Sequence, residues 1–270
     1  MFLHGFGTSA FLWRNIAPSL ANEGFTVLSL DLLGHGESDR SDDGLYGLGM
    51  QVEYVDRALT ALRVPGAAFV GQDIGCIIAL MLAGRRPGRR GKLVLLSPPD
   101  PSVMPPPSVR AVQRSSARAA ITANELFGAF PLVRMLLSES VHDARHMSEQ
   151  LIARYAAPFV GSDGVSHLLT LARAVEFENG DQIDLAAVSS DVLLVTGESD
   201  QWNEPGAMHR VVRGLKSAAV TTVSLPNVGH LIAEDAPGPL ARLLLDWFTG
   251  TATNPESEPG YRRMRIAEQH

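Results

Sequence analysis

The chain has 270 residues, 45% of them hydrophobic and 19% charged, and carries a formal net charge of -6. That length buries a sizeable core in one domain with an insertion or in two small ones, and the acidic balance argues against a nucleic-acid partner, which calls for a basic patch or stripe. No apolar run approaches the roughly 20 residues that span a bilayer, the opening "MFLHGFGTSAFL" lacks the positively charged segment of a signal peptide, and one cysteine, Cys76, excludes an internal disulfide. A cytoplasmic setting is expected.

In chain order, short apolar runs that read as strands alternate with helix-length amphipathic segments, the pattern of an α/β fold with a mostly parallel sheet. "MFL" at Met1 is the first strand, and a helix is predicted over residues 10–22. "FTVLSLD" from Phe25 and a helix over 49–62 follow, then "AAFVG" from Ala67, a helix over 74–86 and "KLVLLS" from Lys92. From Pro98 to Val188 the alternation stops. The proline-rich "SPPDPSVMPPPS" opens a run of helical stretches with no convincing strand, and the economical reading is a helical cap, residues 98–188, inserted into a core of residues 1–97 and 189–250. "VLLVTG" from Val192, a helix over 205–215, "VTTVSL" from Val220 and a helix over 237–248 complete the core. Residues 251–270, rich in Gly, Pro and Glu, read as a mobile tail.

The stretch "FVGQDIGCIIAL" is a strand, a tight turn and the start of a helix, with Gly71-Gln72-Asp73-Ile74-Gly75 in the frame G-x-S-x-G of a nucleophile elbow. Asp73 stands where that frame holds serine. Three further motifs fall at strand ends, where open α/β sheets place their chemistry. His4-Gly5-Phe6-Gly7 is a turn whose backbone N–H groups could face a developing oxyanion; "VTGESDQW" carries Asp200, and "LPNVGHLIAEDAP" carries His230. The order Asp73, Asp200, His230 is nucleophile, acid, histidine.

Together with "DLLGHGESD" at 31–39, these motifs resemble the α/β-hydrolase fold over residues 1–250, and the aspartate at the elbow resembles the branch of epoxide hydrolases and haloalkane dehalogenases. The resemblance implies Asp73 as nucleophile, His230 as base, Asp200 as the acid that orients it, and the backbone N–H groups of Phe6 and Ile74 as the oxyanion hole. Asp100 in "SPPDPS" is the rival acid. A carboxylate is already anionic at neutral pH, so it can attack saturated carbon without a base and form an alkyl ester, which water activated by His230 then hydrolyses. Because the strand that ends in "MFL" normally follows two earlier strands in this fold, it is expected to be an exposed edge, with the natural chain starting upstream or a partner covering it.

Leaving-group chemistry is read from the same resemblance. Haloalkane dehalogenases typically carry tryptophan after the nucleophile and often asparagine in the "HG" loop; here those positions are Ile74 and Phe6. Epoxide hydrolases usually have two cap tyrosines that protonate the epoxide oxygen, and a proline where this chain has Gly7. The cap holds one tyrosine, Tyr155, with His167 roughly where a second donor is expected, and Trp202 is a candidate for the pocket mouth. His35 and Cys76 read as a turn residue and a small core residue. No cluster has metal-ligand spacing, and no cofactor is expected. The expected reaction is opening of an epoxide to a diol on a small, hydrophobic substrate. Dehalogenation, ester or lactone hydrolysis, and ligand binding without turnover are the alternatives, and a homo-oligomer is left open.

Overall fold

The computed structural model describes residues 1–41, 43–122, 128–176, 183–204 and 206–251. The tail expected beyond residue 251 lies outside the described residues.

The core is a sheet of parallel strands: β1 (Phe2–Leu3), β2 (Ser29–Leu30), β3 (Ala67–Gln72), β4 (Arg90–Leu96), β5 (Val192–Gly197) and β6 (Val220–Leu225). Their order is β2-β1-β3-β4-β5-β6, every neighbouring pair parallel. The strand expected at the edge is therefore interior. Phe2 is in register with Ser29 on one side and Val70 on the other, because the chain leaves β1, lays β2 beside it, and returns to the opposite side for β3. The edge on that side is β2, half-exposed and two residues long. So short an edge offers little template for further pairing.

Helices flank the sheet: α1 (Ala17–Asn22), α2 (Leu48–Ala61), α3 (Ile74–Arg85), and, after β5, α8 (Ala207–Gly214), α9 (Ile232–Asp235) and α10 (Pro237–Thr249). The helix expected over 10–22 is broken into a 3-10 turn at Ala10–Trp13 and α1, since Pro18 in the first turn of α1 has no N–H to continue an earlier helix. Helix α3 is buried on every side from Ile74 to Ala83, which is why its sequence is apolar all round instead of amphipathic. Between β4 and β5 the described residues form α4 (Pro107–Thr122), α5 (Phe130–Glu139), α6 (Glu149–Ala156) and α7 (Gly164–Ala174), with no strand among them.

Candidate active site

Asp73 is the one residue between β3 and α3, with φ 52° and ψ -120°. A non-glycine residue keeps so rare a conformation only where its surroundings impose it, and here the elbow is closed by backbone contacts. A Cβ on Gly75 would sit 2.3 Å from the Leu3 carbonyl oxygen, and one on Gly71 would sit 2.5 Å from the Gly75 carbonyl carbon. Those approaches explain both glycines of the motif.

The turn lifts Asp73 toward the loop after β1 and the loop after β6. The Phe6 amide donates to Asp73 Oδ2 at 3.1 Å, while Oδ1 is buried without a hydrogen-bond partner and lies 3.9 Å from His230 Nε2. On its far side, His230 Nδ1 meets Asp200 Oδ2 at 3.0 Å and Oδ1 at 3.1 Å. An ionised carboxylate only accepts, so Nδ1 carries the proton in that pair and Nε2 is turned toward Asp73. Asp200 is held in turn by the Trp202 amide at 2.9 Å and the Asn203 side-chain amide at 2.9 Å. Asp100, the rival acid, pairs instead with Arg210 and accepts from Ser102 Oγ at 2.7 Å. Among the described residues no group of His, Cys, Asp or Glu could hold a metal ion, and no helix is long and apolar enough to cross a membrane.

Residues 1–237 match the family model described as alpha/beta hydrolase fold. The chain belongs to that family. Among its relatives, a haloalkane dehalogenase of Mesorhizobium japonicum is 28% identical over 264 residues, covering 92% of this chain and 83% of that one. The esterase Rv0045c of Mycobacterium tuberculosis is 25% identical, covering 90% and 80%. Of solved structures, the haloalkane dehalogenase DbeA of Bradyrhizobium elkani superposes with a TM-score of 0.71 at 27% identity, covering 92% of this chain and 89% of that one.

Three of the residues expected to meet substrate in this α/β-hydrolase face elsewhere. The Tyr155 hydroxyl donates to Glu234 Oε1, and Arg14 grips the same carboxylate with both terminal nitrogens, at 2.7 and 2.8 Å. Tyr155 is thus committed to a buried ion pair, not turned toward Asp73. His167 Nε2 donates to the Gly34 carbonyl at 2.8 Å and stacks on Phe159. It lines a separate surface depression of about 280 Å³ with Tyr46 and Arg40. Trp202 braces the site from behind, its Nε1 donating to Ser140 Oγ at 3.0 Å.

The cavity over Asp73 and His230 measures about 10 Å³, room for about one water. Phe6, Leu136, Leu137 and Leu231 make it mostly apolar, with Thr8, Ser108 and Ser140 as its hydroxyl residues. Sequence reasoning missed Ser108 and Ser140, and also Gln72, whose Nε2 donates to the His230 carbonyl at 2.9 Å and so ties the elbow to the histidine loop. That loop is also fastened to the segment after α5: the Leu231 amide donates to the Ser140 carbonyl at 2.8 Å, and the amides of His142 and Gly229 both donate to Asp235 Oδ2 at 2.7 Å.

Burial opposes a charge on His230, but the charge and hydrogen bond of Asp200, together with the charge of Asp73, overcome it and push its pKa up to about 9. Burial likewise pushes the Asp73 carboxyl up, opposed by His230 and by the amides of Phe6 and Ile74. Proton binding that is tighter in the folded state stabilises the fold at low pH. The His230 contribution is fully present below its unfolded value near 6.5 and is lost as pH rises through about 9. Calorimetric melting of the hydrolase and of His230→Gln across that window should therefore show the advantage of the unmodified protein shrinking as pH rises; a difference that grows would contradict the assignment.

Proposed function

We propose that this hydrolase displaces a leaving group from saturated carbon with the Asp73 carboxylate as nucleophile, and that the leaving group is halide. What carries the reading is the unequal treatment of the two Asp73 oxygens: Oδ2 is held by the Phe6 amide, while Oδ1 is buried, unpartnered and near His230 Nε2. Oδ1 forms its bond to the substrate carbon as the carbon–halogen bond breaks, and the electron pair leaves with the halide. Alkylation removes the Asp73 charge that helps to keep His230 protonated, so the imidazole gives up its Nε2 proton to solvent; water then attacks the carbonyl carbon of the Asp73 ester and gives a proton to Nε2. Negative charge gathers on Oδ2, where the amides of Phe6 and Ile74 receive it; one such donor is typically worth about 3 kcal/mol. Collapse of this intermediate releases the alcohol with the former Oδ1, reprotonated by His230, and Asp73 keeps the oxygen of water.

Halide is favoured over epoxide on chemical grounds. Ring opening produces an alkoxide that must take up a proton, and the cap tyrosine that would supply it is engaged with Glu234. A halide leaves as a weak base and needs only a hydrogen bond. The likeness to haloalkane dehalogenases over 92% of the chain supports the same choice. Ester hydrolysis, the activity named for the relative Rv0045c, suits Asp73 poorly, because a carboxylate attacking an ester must pass through an anhydride.

Screening small 1-haloalkanes for halide release and epoxides for diols separates these readings, and halide release is expected. A single turnover of an active haloalkane in heavy-oxygen water should place the label in the Asp73 peptide. Label found only in the alcohol would mean that water attacks the substrate directly, and the ester mechanism would be wrong.

A further inference from the structure

We infer that Ser108, in the first turn of α4, donates the hydrogen bond that receives the departing halide. The inference rests on the reading of Asp73 given above and adds the group that faces the leaving atom. Ser108 is 3% exposed, its hydroxyl has no hydrogen-bond partner, and it lines the cavity that Asp73 and His230 share.

The neighbouring hydroxyls are already spent. Each carries a single proton to donate: Thr8 Oγ1 gives its proton to the Gly5 carbonyl at 2.8 Å, and Ser140 Oγ gives its proton to the Leu136 carbonyl at 2.6 Å. Leu136, Leu137 and Leu231 offer only aliphatic surface. A buried hydroxyl without a partner is rare and costly. Beside a carboxylate nucleophile it acquires a partner when the reaction makes an anion. As Oδ1 bonds to carbon, charge accumulates on the halogen at the opposite side of that carbon; the serine proton stays on its oxygen and points at the ion, so no acid has to be regenerated. Hydrogen bonds to ionised acceptors are the strong ones. Ser108 would in this way supply the donor that is missing where Ile74 and Phe6 stand in place of the tryptophan and asparagine of dehalogenases.

The test uses the His230→Gln protein, in which the ester persists, and follows alkylation of Asp73 by mass with chloride, bromide and iodide of one alkyl chain. Adding Ser108→Ala should slow alkylation by the chloride at least roughly ten-fold and by the iodide only about two-fold, since the more diffuse ion gains less from a donor. The chloride-to-iodide ratio is read within one variant, so it does not depend on how much of that variant is folded. Alkylation with an unchanged ratio overturns the assignment of Ser108 while leaving Asp73 as nucleophile. Absence of any adduct in the protein that retains Ser108 overturns both.

Discussion

Replacing His230 by glutamine should turn the hydrolase into a protein that captures its own intermediate. The first step makes no use of His230, since Oδ1, which has no hydrogen-bond partner, attacks directly, whereas the second needs Nε2 to take a proton from water. Turnover is then expected to fall by about 10²–10⁴-fold, the usual contribution of a positioned general base, while the peptide that contains Asp73 gains the mass of the alkyl group. Asp73→Asn should give no such adduct. Glutamine approximates the imidazole in size, and the Gln72 bond to the residue 230 carbonyl involves only backbone on that side, so the loop should keep its course. Steady turnover by His230→Gln with an unmodified Asp73 would show that the two-step scheme is wrong.

A second large effect is expected on stability, from a side chain that does not line the cavity. Glu234→Gln removes the charge that binds Arg14 through two hydrogen bonds and accepts from Tyr155. Glu234 is 3% exposed at its side chain and Arg14 26%. Breaking a buried pair by removing one partner typically costs about 3–5 kcal/mol, and partial access of Arg14 to water puts this case near about 3 kcal/mol. For a chain of this size that lowers the melting midpoint by roughly 6–12 °C. Because the pair joins the residues after β1, helix α6 and helix α9, the loss should appear as earlier cooperative unfolding in calorimetry. A midpoint within about 2 °C of the parent would mean that the network contributes little beyond filling space.

The elbow was legible in the sequence because its geometry restricts identities. Gly71 and Gly75 are required by backbone contacts too close for a Cβ, and the residue between them is displayed whatever its chemistry. Asp200 and His230 were legible because each follows a strand end, and a strand end fixes a position in space to within a few residues. Tyr155 shows where such reading stops: its partner Glu234 lies 79 residues away, and which face of α6 meets α9 depends on packing that leaves no periodic trace in the chain. The same holds for His167 and Trp202. Ser108 is harder still, since nothing marks one serine after a run of prolines as the hydroxyl that packing will leave without a partner. The interior place of β1 is not legible for a topological reason: a list of strands does not contain their order across the sheet.

The fastening of Ser140 and His142 to the histidine loop constrains how anything larger than a water can enter. Were the end of α5 to swing away, the bonds from Leu231 and to Asp235 would drag His230 off the Asp200 axis, and the base would be out of line at the moment substrate arrived. The walls not fastened in this way are the loop of Phe6 and Thr8 and the start of α4 at Ser108, and room for a substrate is expected there. On the proposed reading the hydrogen-bonded wall keeps the proton acceptor in place, and the size of a substrate would be limited by how far the α4 wall can give without disturbing it.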